Sequence, residues 1–446
     1  MSIRVPPDRR ISIPARAGLL ILILGMAMLG GCDSFSLPDW LQDNRPTATI
    51  SLPPTPTTSA TREVVQPTAT PSGPITLTVW VPPRFQPDMD TPEGLLLARQ
   101  LQQFEEDNPG ILVNIRVKDE TGSNGLLETL MITRLAAPAA VPSLVILPRS
   151  DMEMAASKDA ILPLEGVTEI MEDPDWYPYT RQLAVTENAL YGFPFAGEGL
   201  LLLRRPARTT SAPRTWEELI LWNEKVVFAG SDPNGMLPMF IYQAYGGSLA
   251  DDEGHPSLQM SPLTQTLDVF NRAAQQNVFT EISKPFQTEE QAWQAYKDLI
   301  ADAAITSSTV YLANPPADTA AVPLPSINSS QVGGVDGWVI CMTDTLPERR
   351  ALALRLAESL VDATFQAQWS EEAGYLPTRP SALAAWKNQS FQNLLNSFLP
   401  TAPAIPDAVF TSRLGPILKD ATLQVLDRNL SPIQAAQEAL NQLGTQ

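Results

Sequence analysis

The chain has 446 residues, with 30 Lys plus Arg, 49 Asp plus Glu, one His, two Cys and 42 Pro, and a formal net charge of −19. Such acidity repels phosphate backbones, and the longest basic runs are pairs such as Arg204-Arg205 and Arg349-Arg350, so nucleic acid is not an expected partner. One His excludes His-pair zinc motifs, two Cys exclude a disulfide framework, and the length at 44% hydrophobic suits two ordinary domains with sizeable cores.

Arg4, Arg9, Arg10 and Arg16 precede the apolar run Ala17 to Met28, a basic region followed by a hydrophobic one. The run is shorter than the ~20 residues a spanning helix needs. It ends in Leu29-Gly30-Gly31-Cys32, which resembles the lipobox of bacterial lipoproteins. The reading is a signal peptide at 1–31, with Cys32 as the lipidation site of the mature chain. Two acyl chains give the affinity that stable tethering requires. Removing the segment takes away four Arg and Asp8, which makes the balance still more acidic. From Arg45 to Pro74, Pro, Thr and Ser dominate and aliphatic periodicity is nearly absent. Such a stretch cannot bury enough surface to offset its ordering entropy. Residues 32–74 therefore read as a lipidated Cys plus an extended linker.

The body opens with a strand at Ile75 to Trp80, where β-branched residues alternate. A proline-broken loop follows, then a helix opened by Thr91-Pro92-Glu93 and stopped by Asn108-Pro109-Gly110. Ile111 to Val117 is a second strand, Leu126 to Leu135 a helix, Leu144 to Leu147 a third strand, and Asp151 to Lys158 a further helix. Strand–helix repetition predicts a parallel sheet covered on both sides. Beyond Phe195 the chain reads as helix-rich. A capping box at Thr215 and Glu218 opens a helix through Val227, and helices follow at Met236 to Ala244, Pro262 to Gln276 and Thr288 to Ala301. Strand character returns at Ala304 to Leu312 and Gly337 to Met342. A second capping box is expected at Thr345 to Glu348, and two helices at Pro406 to Leu443.

Several segments, in order, resemble the extracellular solute-binding lipoproteins of ABC importers, specifically the large carbohydrate-binding group. They are Leu77-Thr78-Val79-Trp80 with Phe104 to Val117; Ile161-Leu162-Pro163-Leu164; Leu190-Tyr191-Gly192-Phe193-Pro194-Phe195; Pro213-Arg214-Thr215-Trp216-Glu217-Glu218-Leu219; and Gly333 to Ile340 followed by Gly374-Tyr375-Leu376-Pro377-Thr378. The likeness runs from Ile75 to the C-terminus. The chain departs from the family pattern at Pro142-Ser143, in a short stretch between Phe195 and Trp216, and at Arg204-Arg205. The resemblance implies an α/β, two-lobe periplasmic-binding-protein-like fold with an interlobe ligand cleft. Lobe one would hold 75–188 and 303–345, and lobe two 189–302 and 346–446 with the C-terminal helices.

Sugars present apolar ring faces edged by hydroxyls, so a sugar cleft wants aromatic platforms with charged or amide groups at the rim. Residues at strand ends or beside glycines that fit are Trp80, Arg84, Phe85, Phe195, Glu198, Tyr242 and Tyr245 before Gly246-Gly247, Trp338 after Gly333-Gly334 and Gly337, and Tyr375 beside Gly374, since glycine lets the backbone approach a ligand. The alternative for each aromatic is a place in a core. Of Tyr242 and Tyr245, three apart on a helix, one is expected inside. His255 lies in an acidic stretch, Asp251-Asp252-Glu253-Gly254-His255, that lacks a calcium-loop pattern and reads as a polar turn. Cys341 reads as a small buried residue.

The expectation is a membrane-tethered, monomeric, extracytoplasmic protein. It captures a small-molecule solute, a sugar or oligosaccharide by the resemblance, and hands it to an ABC permease without covalent chemistry, cofactor or metal. The rivals are a sensor or scaffold that has kept the binding fold, and an extracellular hydrolase using two carboxylates.

Overall fold

The computed structural model describes residues 73–88, 90–209 and 211–445. The signal-like segment, Cys32 and the linker up to Ser72 lie outside the described residues. In chain order the elements are β1 (Ile75–Val81), α1 (Pro92–Asp107), β2 (Ile111–Val117), α2 (Leu126–Ala136), β3 (Leu144–Pro148), α3 (Arg149–Ser157), α4 (Pro178–Ala184), β4 (Val185–Thr186), β5 (Ala189–Leu190) and β6 (Gly192–Arg204). Then come α5 (Trp216–Ile220), β7 (Val226–Val227), α6 (Met236–Ala244), α7 (Met260–Gln275), α8 (Glu289–Lys297), β8 (Ala303–Ser307), α9 (Ser308–Leu312), β9 (Ala320–Pro323) and β10 (Val335–Met342). The chain ends in α10 (Pro347–Leu360), α11 (Ala363–Ala373), α12 (Pro380–Ala384), α13 (Gln389–Asn396), α14 (Ala408–Leu426) and α15 (Pro432–Thr445).

Eight strands form one sheet in the order β2-β1-β3-β10-β6-β8-β7, with β9 also pairing β6. β1 runs parallel to β2 and β3, because α1 and α2 supply the crossovers that parallel pairing needs. The parallel pairing expected from strand–helix repetition holds for these three strands; β10 and β6 then enter antiparallel to their neighbours, and β7 is parallel to β8. β6 joins the two ends of the sheet. Its residues Gly192 to Gly199 pair with β10, and from Leu200 to Arg204 it pairs with β8. A bulge between Trp338 and Val339 leaves Phe195 as the extra residue on β6.

Period-two alternation sorts the first half of the sheet into two faces. Leu77, Val79, Ile146, Ile340 and Met342 meet α1, α10 and α11 through Leu97, Phe104, Leu356 and Trp369. Trp80, Val145, Leu147, Val339 and Cys341 meet α2, α3 and α4 through Leu130, Met152 and Leu183. At the other end Leu202, Ala303 and Ile305 pack with Phe228, Phe270 and Phe279, while α14 and α15 pack on α6 and α7.

Two segments pack differently from the expected grouping. β8 is buried throughout and needs cover on both edges, so it lies between β6 and β7 rather than beside the first strands. α10 and α11 turn Leu356, Leu360 and Trp369 onto β1 and α1, not onto the helix-rich region. Locally, Thr91 and Thr215 cap as expected, accepting from the Gly94 and Glu218 amides. Thr345 does not cap: α10 starts with Leu346 at the cap and Pro347 in the first turn. The helix at Thr215 ends by Ile220 because Val226–Val227 is needed as β7, and the strand expected to Leu312 gives way to α9 after Ser307.

Candidate functional site

The parallel strands β1, β2 and β3 end together, and the loops beyond their carboxyl ends meet the middle of β6 and β10. Three prolines stiffen the turn after β1, which carries Arg84 and Phe85. Arg84 donates to both Glu120 carboxylate oxygens, at 2.6 and 2.9 Å, in the fork geometry that suits guanidinium. Its remaining nitrogen donates to the Tyr375 hydroxyl at 3.3 Å, and its guanidinium carbon lies 5.0 Å from the Trp338 ring centre. Beneath it, Phe85 meets Phe195 edge-on at 5.2 Å and Trp338 edge-on at 5.1 Å. Phe195 packs on Trp369 at 4.4 Å, and Trp369 stacks on Tyr375.

The Gly374-Tyr375-Leu376 motif places Tyr375 here. Gly374 caps α11 at φ +73°, and a Cβ there would meet the Ala313 amide nitrogen at 2.4 Å. Leu376 then exchanges backbone hydrogen bonds of 3.0 and 2.8 Å with Gly197 on β6. Burial, the first cause, opposed by the hydrogen bond to Arg84, leaves the Tyr375 hydroxyl pushed up to about 12.

Next along β6 lies Glu198, the cross-strand partner of Asp336 on β10. Ser307 donates its hydroxyl to Glu198 at 3.4 Å, and the Gly337 amide donates to Asp336 at 2.7 Å. Burial, with Asp336 adding and Arg84 opposing, pushes the Glu198 carboxyl up to about 7. Burial pushes Asp336 up to about 6. Glu289 at the start of α8 is raised to about 7, by burial first and then by Asp232. Arg149, buried at the start of α3, pairs with Glu153 at 2.7 Å and with Asp407, and donates to the Ile405 carbonyl. Beside this region a hollow of about 440 Å³ is lined by Glu120, Thr121, Ser123, Glu128 and Asp151, among others.

Five of the expected residues thus converge: Arg84, Phe85, Phe195, Trp338 and Tyr375, with Glu198 next along the strand. They differ from the expectation in one respect. Phe85 and Phe195 are buried, Trp338 is 4% and Tyr375 6% exposed, so the rings cover one another and Arg84 lies over Trp338. The accessible groups here are polar: the Arg84 side chain is 37% and the Glu120 side chain 33% exposed. Trp80 is buried on the opposite sheet face, with Lys118 over its ring at 5.1 Å. Tyr242 is a core residue, donating to the Ser248 carbonyl at 2.7 Å and accepting from the Gln259 amide at 2.8 Å. Tyr245 ends α6 against the Trp216 cluster. Neither tyrosine joins the other aromatics. His255 sits in an exposed turn, 3.5 Å from Asp251, and no group of three or more metal-ligating side chains occurs among the described residues.

Sequence reasoning missed Glu120, Asp336, Arg149, Glu289 and Trp369. Glu120 and Arg149 follow β2 and β3 just as Arg84 follows β1, so the same strand-end rule would have found them. Asp336 lies within the glycine-flanked segment that singled out Trp338. Trp369 carried no signal, since it is one apolar residue on a helix.

The sequence profile of the bacterial extracellular solute-binding protein family matches residues 100–394. Among solved structures, the chain is similar to the sugar-binding protein MalE from Xanthomonas citri, with 19% identity over 82% of this chain and 96% of that one, at a TM-score of 0.66. It is similar to maltose-bound MalE3 of T. maritima, with 18% identity over 83% and 99% and a TM-score of 0.64. It is also similar to the GacH receptor of Streptomyces glaucescens, solved unliganded and with acarbose, with 17% identity over 83% and 97% and a TM-score of 0.63. No curated protein matches the sequence. The matched span covers well over half of the chain, and the protein belongs to the bacterial extracellular solute-binding protein family.

Proposed function

We propose that this protein captures a carbohydrate between two lobes and delivers it to an ABC permease. The observation that carries the reading is the convergence of Arg84, Trp338, Tyr375 and Glu198 where β6 passes from β10 to β8. A guanidinium and carboxylates at the rim of an aromatic cluster suit the hydroxyls and ring faces of a sugar. Structures of the same fold hold maltose and acarbose, which supports the same ligand class here. Because the rings are covered, direct contacts come first from Arg84, Glu120 and Glu198, with the aromatic cluster as a rigid backing. The packing supports a first lobe built on β1, β2, β3, β10 and the start of β6 with α10 and α11. The second is built on the end of β6, β7 and β8 with α6, α7, α14 and α15. The chain works as a monomer without catalysis. Lipid on Cys32 would hold it at the outer face of the cell membrane, the 32–74 linker acting as the tether.

The test is a thermal-shift screen of mono- and oligosaccharides alongside amino acids, peptides and polyamines. A sugar that raises the melting temperature supports the reading. Silence from every sugar, with a clear response to another class, overturns it. Mass spectrometry of the membrane-extracted protein should find diacylglycerol on Cys32; an unmodified N-terminal Met1 would remove the anchor.

A further inference from the structure

Glu198 and Asp336 face each other across antiparallel strands one register position before the final pair, Gly199 with Val335, after which β6 leaves β10 for β8. Cross-strand partners hold their Cβ atoms about 5 Å apart, and like charges in that position repel. Neither makes an ion pair among the described residues. The surroundings do not neutralise them. Arg84 faces Glu198 from the turn after β1 but is held by Glu120, and Tyr375 faces it from the loop after α11. Glu289 and Glu290 on α8 add further negative charge, with Asp232 behind Glu289. Arg149 on α3 faces Asp336 but is engaged by Glu153, which itself faces Asp336, and by Asp407. From β8 only the Ser307 hydroxyl reaches Glu198.

We propose that the Glu198–Asp336 pair is a proton-operated latch on the joint between the two ends of the sheet. A proton taken from solvent forms an O–H on one carboxyl, which donates to the other carboxylate and draws β6 and β10 together. Its return to solvent leaves two facing charges that favour splaying of the joint. The two carboxyls are displaced upward, to about 7 and about 6, mainly by burial, which puts the exchange near neutrality. Coupled groups of this kind titrate as a pair. The inference goes beyond solute capture and is tested without any solute, so its failure leaves the carbohydrate reading standing.

The experiment follows tryptophan fluorescence and the small-angle scattering radius of the full chain from about pH 5 to about pH 9. The wild type should show one transition in the pH 6 to 7 range, with the larger radius on the alkaline side. E198Q and D336N should lose the transition and keep the smaller radius throughout. The chain has one histidine, so H255Q is the control and should keep the transition. A transition that survives in E198Q or vanishes in H255Q overturns the latch, as does an unchanged wild-type radius. If E198Q fails to fold, carboxyl-carbon NMR of the wild type decides. A glutamate titrating near neutrality supports the latch, and carboxyls titrating only in the ordinary range overturn it.

Discussion

On the β1 side of the joint the arginines are spoken for: Arg84 grips Glu120 with two hydrogen bonds, and Arg149 holds Glu153 and Asp407. On the β8 side Glu198, Glu289 and Asp232 lie close enough to influence one another, and none makes an ion pair among the described residues. One region is therefore fixed by paired charge over a tight aromatic cluster. The other holds uncompensated charge whose state depends on solution conditions. The same fold places rigid support and adjustable charge on opposite flanks of one strand.

The largest expected effect lies in the rigid region. F195A should cost about 3–5 kcal/mol in urea unfolding, because Phe195 is fully buried against Phe85 and Trp369. A loss below about 1 kcal/mol would mean that the cluster is loosely packed. R149M comes next. It leaves Glu153 without its buried partner and frees the Ile405 to Asp407 segment from α3, for a cost of about 3 kcal/mol by the same measurement.

The acidic region should respond to pH rather than to truncation. Glu198, Asp336 and Glu289 are raised on folding, so the folded chain binds more protons than the unfolded one over the intervening range. Their stabilising contribution is present below the ordinary carboxylate range and is lost as pH rises through 6 to 7. Between about pH 5 and about pH 8 the wild type should lose about 2 kcal/mol relative to E198Q, seen as a falling difference in melting temperature. Parallel pH curves for the two proteins would break the contrast between the regions. The smallest effect is expected for E120Q, about 0.5 kcal/mol, because both side chains of that pair are about one-third exposed. An E120Q loss as large as that of R149M would show that the two arginines do not differ in the way their burial implies.

Much of the frame was readable in the sequence because it follows from local physics. Alternation marked β1 and β2, Thr91 and Thr215 marked helix starts, and Gly374 beside Tyr375 marked a point of close backbone approach. The direction of β6 and β10 was not readable, since alternation is the same in parallel and antiparallel strands. The attachment of α10 and α11 to β1 depends on which distant apolar face they cover, and spacing does not record that. Loop position singled out Arg84 and Tyr375, which the structure sets in contact. Tyr242 and Tyr245 were drawn in by the nearby Gly246-Gly247, yet Gly247 makes room for the Tyr242 ring itself, 2.3 Å from where its Cβ would stand. The Glu198–Asp336 pairing needed the register, which only the folded sheet supplies.

The most direct measurement is isothermal titration of the wild type and R84A with maltose, longer maltooligosaccharides and common monosaccharides. The expected result is saturable binding of at least one sugar by the wild type and about tenfold weaker binding by R84A, or about 1.4 kcal/mol, with the melting temperature little changed. Equal sugar affinity in the two proteins, or binding of amino acids, peptides or polyamines with no heat from any sugar, would contradict it.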